Sequence, residues 1–453
     1  MKDYTNKSVA AVTLGCKLNY AETSAILDEL CKQGWLLSTI EKGADLIVIH
    51  SCAVTKQAEK KCRQKIRGII RQNPSSHIAV IGCYSQLNPK VLSEINGIDA
   101  ILGSNDKFNI QRYNDIIAAT IPRPLIKVTP SCTFKDIYPG YSLSAAVGSD
   151  RTRAFLKIQD GCDYGCSYCV IPLVRGKSRS LPAEQIVDRA HLLALSGYRE
   201  IVLTGVNIGD YHYGDLSLSD LLRLLEAVNV SRIRISSIEP DIVDNKLISL
   251  VADSKTIVPH FHIPLQSGSD TVLIAMRRRY DTALYRDKVL LAAERIAGCA
   301  IGADVMVGYP GETEEHFREM YRFIEDLPLA YLHVFSCSVR PGTALAGQIE
   351  SLKLKAVAPY EISRRYSELV ELGRKKEAGF KASSIGQEHK VLFEASRSVK
   401  NGIQQYSGYT KNYLRVLVES PDGKLEQTLE GNELPVLIES LDDDLNLKGR
   451  VLS

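Results

Sequence analysis

The chain has 453 residues, 45% of them hydrophobic and 24% charged, which is typical of a folded protein with two or three domains. Its formal net charge of +3 is too small to indicate nucleic-acid binding by itself, and no apolar run reaches the length of a membrane span. The polar start carries no signal-peptide pattern, so the eleven cysteines predict a reducing compartment, the cytoplasm, where thiols serve metals or chemistry.

Residues 1–120 alternate short apolar runs with amphipathic stretches, a pattern that predicts a parallel α/β domain with strands at 9–14, 46–50, 78–81 and 98–102. Cys16, Cys52 and Cys83 each follow one of the first three strands by at most two residues. The carboxyl ends of parallel strands meet at one edge of a sheet, where ligands bind. The three thiols are therefore predicted to converge on a metal cluster.

A free cysteine is otherwise often a small buried hydrophobe. We assign that structural role to the five that lack the strand-end position, namely Cys31, Cys62, Cys132, Cys299 and Cys337.

Residues 121–150 carry several prolines and a serine-rich tail, and we predict that they form a linker. Residues 151–382 then contain six further strand–helix repeats, with strands at 155–158, 201–203, 233–235, 260–263, 301–307 and 332–335. Six such repeats predict an open, partial TIM-like (β/α)6 barrel. Chemistry in barrels of this kind takes place at the carboxyl ends of the strands.

The loop after the first barrel strand carries Cys162, Cys166 and Cys169, in the spacing C-x3-C-x2-C. Three thiols in one tight loop can hold an iron–sulfur cubane, which needs four ligands, so one iron is left free for a ligand that is not protein. Zinc is the alternative, but it would need a fourth Cys or His nearby, and the nearest downstream histidine is His191. The loop resembles that of the radical SAM superfamily, in which S-adenosylmethionine binds the free iron.

Glycines and polar residues follow three other barrel strands, and we expect them to contact S-adenosylmethionine. They are Gly205, Asn207, Gln266, Ser267, Gly308 and Glu312. The segment 308–313 is equally well explained as a tight turn before a helix that Thr313 caps. Glu239, after the third strand, either contacts the cofactor or caps a turn.

Two basic segments, 277–280 and 364–381, are candidates for contact with phosphates, although the second is also typical of a solvated helix face. Residues 383–453 lose helical periodicity and predict a small β-barrel of the oligonucleotide-binding kind. Within it, residues 408–413 set tyrosines beside a lysine, a mixture that predicts a surface facing RNA.

The order of these parts resembles the methylthiotransferase family of radical SAM enzymes over nearly the whole chain. That family combines an N-terminal domain with three cluster cysteines, a radical SAM barrel and a C-terminal TRAM domain. The matching segments are residues 160–162, 171–172, 175–176, 262–269 and 308–313, together with the six strand-end and loop cysteines. The resemblance implies two 4Fe-4S clusters, held by Cys16, Cys52 and Cys83 and by Cys162, Cys166 and Cys169.

Residues 13–19, which include Gly-Cys-Lys-Leu-Asn, and residues 338–343 resemble the members that act on threonylcarbamoyladenosine in tRNA. This resemblance implies insertion of a methylthio group at C2 of that base next to the anticodon, with S-adenosylmethionine as both methyl donor and radical source. It also implies a tRNA anticodon stem-loop as partner and an electron donor such as flavodoxin. The alternatives are isopentenyladenosine in tRNA or an aspartate of a ribosomal protein as substrate.

Overall fold

The computed structural model describes residues 6–118, 123–142, 152–352, 354–400, 403–420 and 429–452. These residues form a parallel α/β domain, a partial barrel and a small closed β-barrel in chain order. The fold class predicted from the sequence is therefore confirmed. Within the described ranges, no helix combines the length and the apolar character needed to cross a membrane.

The N-terminal domain is built on a six-stranded parallel sheet with the order β2-β1-β3-β4-β5-β6. Its strands are β1 (Ser8–Thr13), β2 (Leu36–Leu37), β3 (Leu46–Ser51), β4 (His77–Gly82), β5 (Ala100–Leu102) and β6 (Leu125–Lys127). Its helices are α1 (Lys17–Lys32), α2 (Lys56–Gln72), α3 (Cys83–Leu87), α4 (Pro89–Ser93) and α5 (Ile110–Ile117). Every residue of β3 is buried, because apolar clusters cover both faces of the sheet.

The segment predicted as a linker contributes a strand to this sheet. β6 lies inside residues 121–150 and pairs in parallel with β5. Strand β6 consists of Leu125–Lys127, whose side chains are half-buried or exposed. Three residues are too few to show periodicity, so only the backbone pairing identifies the strand. Pro122 and the serine-rich tail from residue 143 to 150 lie outside the described residues.

Six parallel strands form the partial barrel, as predicted. In barrel order they are β7 (Arg153–Lys157), β10 (Glu200–Thr204), β13 (Arg232–Ile235), β14 (His260–His262), β15 (Ala300–Val307) and β16 (Tyr331–Ser336), with the short strands β8 (Gln159–Asp160), β9 (Arg179–Ser180), β11 (His212–Tyr213) and β12 (Leu216–Ser217) in the loops. A parallel bridge between Ser237 and His262 joins the two three-stranded halves. Among the described strands, β7 and β16 do not pair with each other, so the barrel is open on one side.

Nine helices accompany these strands within the described residues. They are α6 (Ile171–Arg175), α7 (Ala183–Leu195), α8 (Leu218–Leu225), α9 (Asn245–Asp253), α10 (Asp270–Ala275), α11 (Thr282–Arg295), α12 (Glu314–Asp326), α13 (Ala344–Leu352) and α14 (Pro359–Ala382).

The barrel strands have an outer row under these helices and an inner row that faces the barrel interior. On β16, Leu332 and Val334 pack in the outer core, so His333 and Phe335 point inward and are exposed at the open side. On β7, Phe155 belongs to the inner row and packs against Ala21 of α1. The helix that begins at the N-terminal domain's edge therefore lies against the inner face of the barrel.

The C-terminal module is a closed five-stranded barrel with the order β17-β18-β19-β21-β20. Its strands are β17 (Glu388–Lys400), β18 (Ile403–Thr410), β19 (Arg415–Ser420), β20 (Glu433–Leu441) and β21 (Leu447–Val451). Residues 408–413, which the sequence predicts to face RNA, contact the larger barrel. Lys411 donates a hydrogen bond to the Lys255 carbonyl, Asn412 donates one to the Gly298 carbonyl, and Tyr413 packs against His260 inside the larger barrel. The sequence could not show this, because tyrosines beside a lysine suit a domain interface as well as an RNA surface.

A buried ionic network joins the N-terminal domain to the barrel. Glu22 of α1 accepts hydrogen bonds from Lys107 at 2.6 Å, from Lys157 of β7 at 2.8 Å and from Arg175 of α6 at 3.0 Å. Asp160 is the second carboxylate, 2.7 Å from Lys157 and 2.9 Å from Arg175. Burial alone would raise the pKa of Glu22, but Arg175, Lys107 and Lys157 outweigh it and hold the pKa well below its ordinary value.

We expect Glu22→Gln to destabilise the protein by about 3–5 kcal/mol, because three buried cations would then share one carboxylate. The midpoint of urea unfolding, followed by circular dichroism, measures the loss. Glu29→Gln on the same helix is the matched control. Glu29 is 48% exposed and pairs with Lys32, so its removal should cost less than about 1 kcal/mol. Equal shifts for both variants would contradict a central role for Glu22.

Candidate active site

The cysteine loop of the barrel starts directly after β8 with Gly161, whose φ is +74°. A Cβ at this position would collide with the Lys177 carbonyl oxygen, so the turn requires glycine. The loop is tied to the strand ends around it. Gln159 donates to the Gly161 carbonyl and accepts from the Asn207 amide, while Ser167 hydrogen-bonds Tyr309 at 2.8 Å.

Each sulfur of this loop accepts a hydrogen bond from the protein. The Tyr164 amide lies 3.4 Å from Cys162 Sγ, the Ile171 amide 3.4 Å from Cys169 Sγ, and Arg278 Nη1 3.0 Å from Cys166 Sγ. Burial raises the pKa of Cys162 and of Cys169 to about 12, so a bound cation is required to keep these sulfurs as thiolates. Donors aimed at three sulfurs fit an iron–sulfur cluster.

Cys16, Cys52 and Cys83 meet at the carboxyl edge of the N-terminal sheet. Cys16 caps the start of α1, Cys52 follows the last residue of β3, and Cys83 is the first residue of α3. Burial, together with the nearby thiols of Cys83 and Cys16, raises the pKa of Cys52 to about 12. Within the described chain, neither cysteine trio has its sulfurs within 4.8 Å of one another, as ligands of a single zinc ion would be. The wider spacing suits a cluster.

Helix α6 connects the two cysteine sites. It begins two residues after Cys169 and packs against α3, which begins at Cys83. At its end, Arg175 donates to Asn19 Oδ1 at 2.6 Å, three residues after Cys16. The ionic network around Glu22 therefore connects the segments that carry the two trios.

The structure places the six predicted S-adenosylmethionine contacts on three loops beside the cysteine loop. Asn207 is buried, and among the residues that the structure describes neither its side-chain oxygen nor its nitrogen has a hydrogen-bond partner. Gly205 has no room for a Cβ beside Gln159 and Ile208. An unpaired buried amide on a loop tied to Gln159 fits a polar ligand at this position.

On the other two loops, the predicted contact residues already make some hydrogen bonds within the protein. Glu312 Oε1 accepts from the Gly308 amide at 3.2 Å and from Arg365 at 2.6 Å. Within the described ranges, its Oε2 has no hydrogen-bond partner. Thr313 caps α12, which agrees with the alternative interpretation of residues 308–313 as a tight turn before a capped helix. Gln266 has a φ of +63° and its backbone pairs with β15, while Ser267 is buried and accepts from the Ser269 amide.

Glu239 directly precedes the turn Pro240–Ile242, but its side chain makes no cap hydrogen bond. It forms an ion pair with Arg278, the residue that donates to Cys166. Burial raises the pKa of Glu239 to about 7 against the opposing effect of Arg278. Arg278 therefore belongs to the cysteine loop and not to a phosphate-binding patch. In the second basic segment, Arg364 and Arg365 pair with glutamates, which favours the helix-face interpretation.

The sequence reading missed a polar cluster on the inner rows of the barrel. His262 Nε2 lies 3.0 Å and His333 Nδ1 lies 3.2 Å from Asp304 Oδ1, and Ser237 hydrogen-bonds the other nitrogen of His262 at 2.7 Å. The signal was present, because polar residues alternate with apolar ones along β14, β15 and β16. The cluster therefore lies on the inner face of the partial barrel.

Residues 156–324 match the Radical SAM superfamily, and residues 8–103 match a family described as uncharacterized protein family UPF0004. The threonylcarbamoyladenosine tRNA methylthiotransferase MtaB of Bacillus subtilis (strain 168) is 36% identical over 92% of this chain and 91% of the relative. The chain belongs to the radical SAM methylthiotransferase family. It is thus an enzyme, and membership of this family implies a 4Fe-4S cluster and S-adenosylmethionine.

Other members of the family are similar over comparable lengths. MtaB of Thermotoga maritima is 32% identical over 90% of this chain and 91% of the relative. A tRNA-2-methylthio-N(6)-dimethylallyladenosine synthase of Endomicrobium trichonymphae is 28% identical over 96% of this chain and 98% of the relative. The fold is similar to that of the radical S-adenosylmethionine methyltransferase TsrM from Kitasatospora setae, with a TM-score of 0.56 and 14% identity over 76% of this chain and 75% of that one.

Arg278 and Glu239 are expected to shift the reduction potential of the barrel cluster in opposite directions. Arg278→Gln removes a hydrogen bond from Cys166 and should lower the potential, whereas Glu239→Gln leaves the guanidinium charge unpaired beside the sulfur and should raise it. Each shift should be on the order of 50 mV. Redox titration followed by electron paramagnetic resonance measures it, with the exposed Arg295→Gln as control. Shifts of the same sign would contradict this assignment.

Proposed function

We propose that this protein inserts a methylthio group at C2 of N6-threonylcarbamoyladenosine next to the anticodon of tRNA. The observation that carries the proposal is the pair of cysteine trios that α6 and Arg175 connect. Relatives named for this reaction match the chain over nine-tenths of its length, which supports the choice of substrate.

The second trio has no use in an enzyme that only cleaves S-adenosylmethionine. We infer that Cys16, Cys52 and Cys83 hold a second 4Fe-4S cluster, and that Cys162, Cys166 and Cys169 hold the first. When bound, the two groups supply a radical able to break an unactivated C–H bond and the sulfur that replaces the hydrogen. The protein's own part is to hold the sulfurs with directed donors and to keep the two sites at a fixed separation across the Glu22 network.

The three loops beside the cysteine loop serve S-adenosylmethionine in this proposal. Asn207 offers two free amide atoms and Glu312 offers one free carboxylate oxygen to its polar groups. Gly205, Gly308, Gln266 and Ser267 lie on the same three loops. Protein side chains fill the space beside both glycines, so the glycines serve the shape of these loops. Glu239, with a pKa of about 7, stays paired with Arg278 and keeps that cation directed at Cys166.

In this proposal each predicted domain has its own role. Residues 1–120, completed by β6 from the segment 121–150, carry the second cluster, residues 151–382 form the barrel, and residues 383–453 form the TRAM module. We propose that the TRAM module contacts the anticodon stem-loop with surfaces other than Lys411 and Asn412, which hydrogen-bond the barrel. An external one-electron donor such as flavodoxin would reduce the barrel cluster in the cytoplasm.

Nucleoside mass spectrometry tests the reaction and the substrate together. The chain is expressed in a host that lacks tRNA methylthiolation, and its tRNA is digested and analysed. We expect methylthio-threonylcarbamoyladenosine only when the intact protein is present. A methylthio-isopentenyladenosine peak would assign the alternative tRNA substrate instead, and modification of a ribosomal-protein aspartate without either nucleoside would assign the third.

Alanine substitutions test the roles of the two trios. Cys162→Ala, Cys166→Ala or Cys169→Ala should abolish cleavage of S-adenosylmethionine, whereas Cys16→Ala, Cys52→Ala or Cys83→Ala should spare cleavage and stop methylthiolation. Iron content should fall from about eight to about four atoms per chain in each case. Cys132→Ala is the matched control, because this exposed cysteine belongs to neither trio. Methylthiolated product from Cys16→Ala would overturn the division of labour.

A further inference from the structure

A lysine lies at the inner face of the barrel beside the second cysteine site. Lys17 is the first residue of α1 and directly follows Cys16. Its ammonium lies 6.0 Å from the centroid of the Tyr413 ring, and that ring is 5.1 Å from the ring of His260 on the inner row of β14. Lys17 therefore connects the edge that carries the three thiols to the interior of the barrel.

The charge of Lys17 is not compensated within the described part of the chain. No carboxylate there comes within 4.0 Å of its ammonium, and no hydrogen bond engages it. The other cations around Tyr413 are paired, since Arg153 contacts Glu394 at 2.7 Å and Arg234 contacts Glu200 at 2.7 Å. Lys17 is exposed, so its ammonium is accessible to a ligand that lies beside the Tyr413 ring.

The interior beside Lys17 has a positive potential. Burial alone would raise the pKa of Tyr413, yet Lys17, Arg153 and Arg234 lower it below its ordinary value. Burial lowers the pKa of His260 well below its usual range, and Arg234 and Lys17 lower it further. Nearby positive charge disfavours the protonated histidine and favours the deprotonated tyrosine. The same positive charge would attract an anionic ligand.

The proposed substrate carries an anion in the matching place. The threonylcarbamoyl group is attached at N6 and ends in a carboxylate, whereas an isopentenyl group is apolar. C2 and C6 of adenine are separated by one ring nitrogen, so a base that presents C2 to the second cysteine site holds its N6 substituent close to Cys16. Asp304, the carboxylate on the inner row of β15, contacts His262 and His333, and it forms no ion pair with Lys17 in the described part of the chain.

We propose that Lys17 binds the carboxylate of the threonylcarbamoyl group and thereby selects this base over adenosines with an apolar N6 substituent. The inference rests on the function proposed above. The apolar alternative would bury the ammonium without a partner, and such an unpaired charge is the strongest basis for rejecting an analogue.

The test uses two synthetic anticodon stem-loops that differ by one group. One carries threonylcarbamoyladenosine, and in the other the threonine carboxylate is replaced by the isosteric carboxamide. The holoenzyme should prefer the acid over the amide by about ten- to hundred-fold in kcat/KM, the range of a charge-assisted hydrogen bond. Fluorescence anisotropy should show the same preference in binding without turnover.

Lys17→Gln should lose this factor on the acid and change little on the amide, so the preference disappears, while Lys17→Arg should retain it. Lys32→Gln, at the other end of the same helix, is the matched control and should behave as the unchanged enzyme, because Lys32 pairs with Asp28 and Glu29 at the surface.

Equal rates of the unchanged enzyme on acid and amide would overturn the role of Lys17, and this comparison needs no variant. An equal loss on both stem-loops in Lys17→Gln would also overturn it. Failure of the proposed function is separately visible, because the unchanged enzyme would then modify an isopentenyladenosine stem-loop and neither of the two test stem-loops.

Discussion

The carboxylate of Glu22, buried among Arg175, Lys107 and Lys157, is the contact on which the relative position of the two cysteine sites depends. Lys107 comes from the N-terminal domain, whereas Lys157 and Arg175 come from the barrel. A buried charge is costly unless it is paired on all sides, so the network forms only when both domains are in place. The same contact that joins the domains therefore fixes the position of one cysteine site relative to the other.

Both cysteine sites use short helices and tight turns that the network holds still. Arg175 ends the helix that starts beside Cys169, and it reaches Asn19 in the first turn of the helix that starts beside Cys16. A reaction that needs two sulfur-bound sites to serve one base requires this rigidity, because small displacements reduce the rate of a step that depends on proximity. The inner row of the barrel, with Lys17, His260 and Tyr413, then shapes the space left for the base.

The positions of both cysteine trios could be predicted from the sequence. Cys162, Cys166 and Cys169 lie close together in sequence, so one loop suffices to bring them together. Residues 16, 52 and 83 are distant in sequence, but parallel strands end at one edge, and strand prediction alone placed them there. Strand β6 and the docking of residues 408–413 were not predicted, because a three-residue strand has no periodicity and tyrosines suit many surfaces.

The sequence by itself determined the order of the three modules, the six thiols and the family, since these follow from local spacing and strand-by-strand alternation. Only the tertiary structure decided which charges meet. The pairing of Glu22 with Lys157, of Arg278 with Glu239 and Cys166, and the unpaired state of Lys17 depend on segments far apart in the chain. Electrostatic partners are set by position in space and by burial, and neither leaves a periodic signal in sequence.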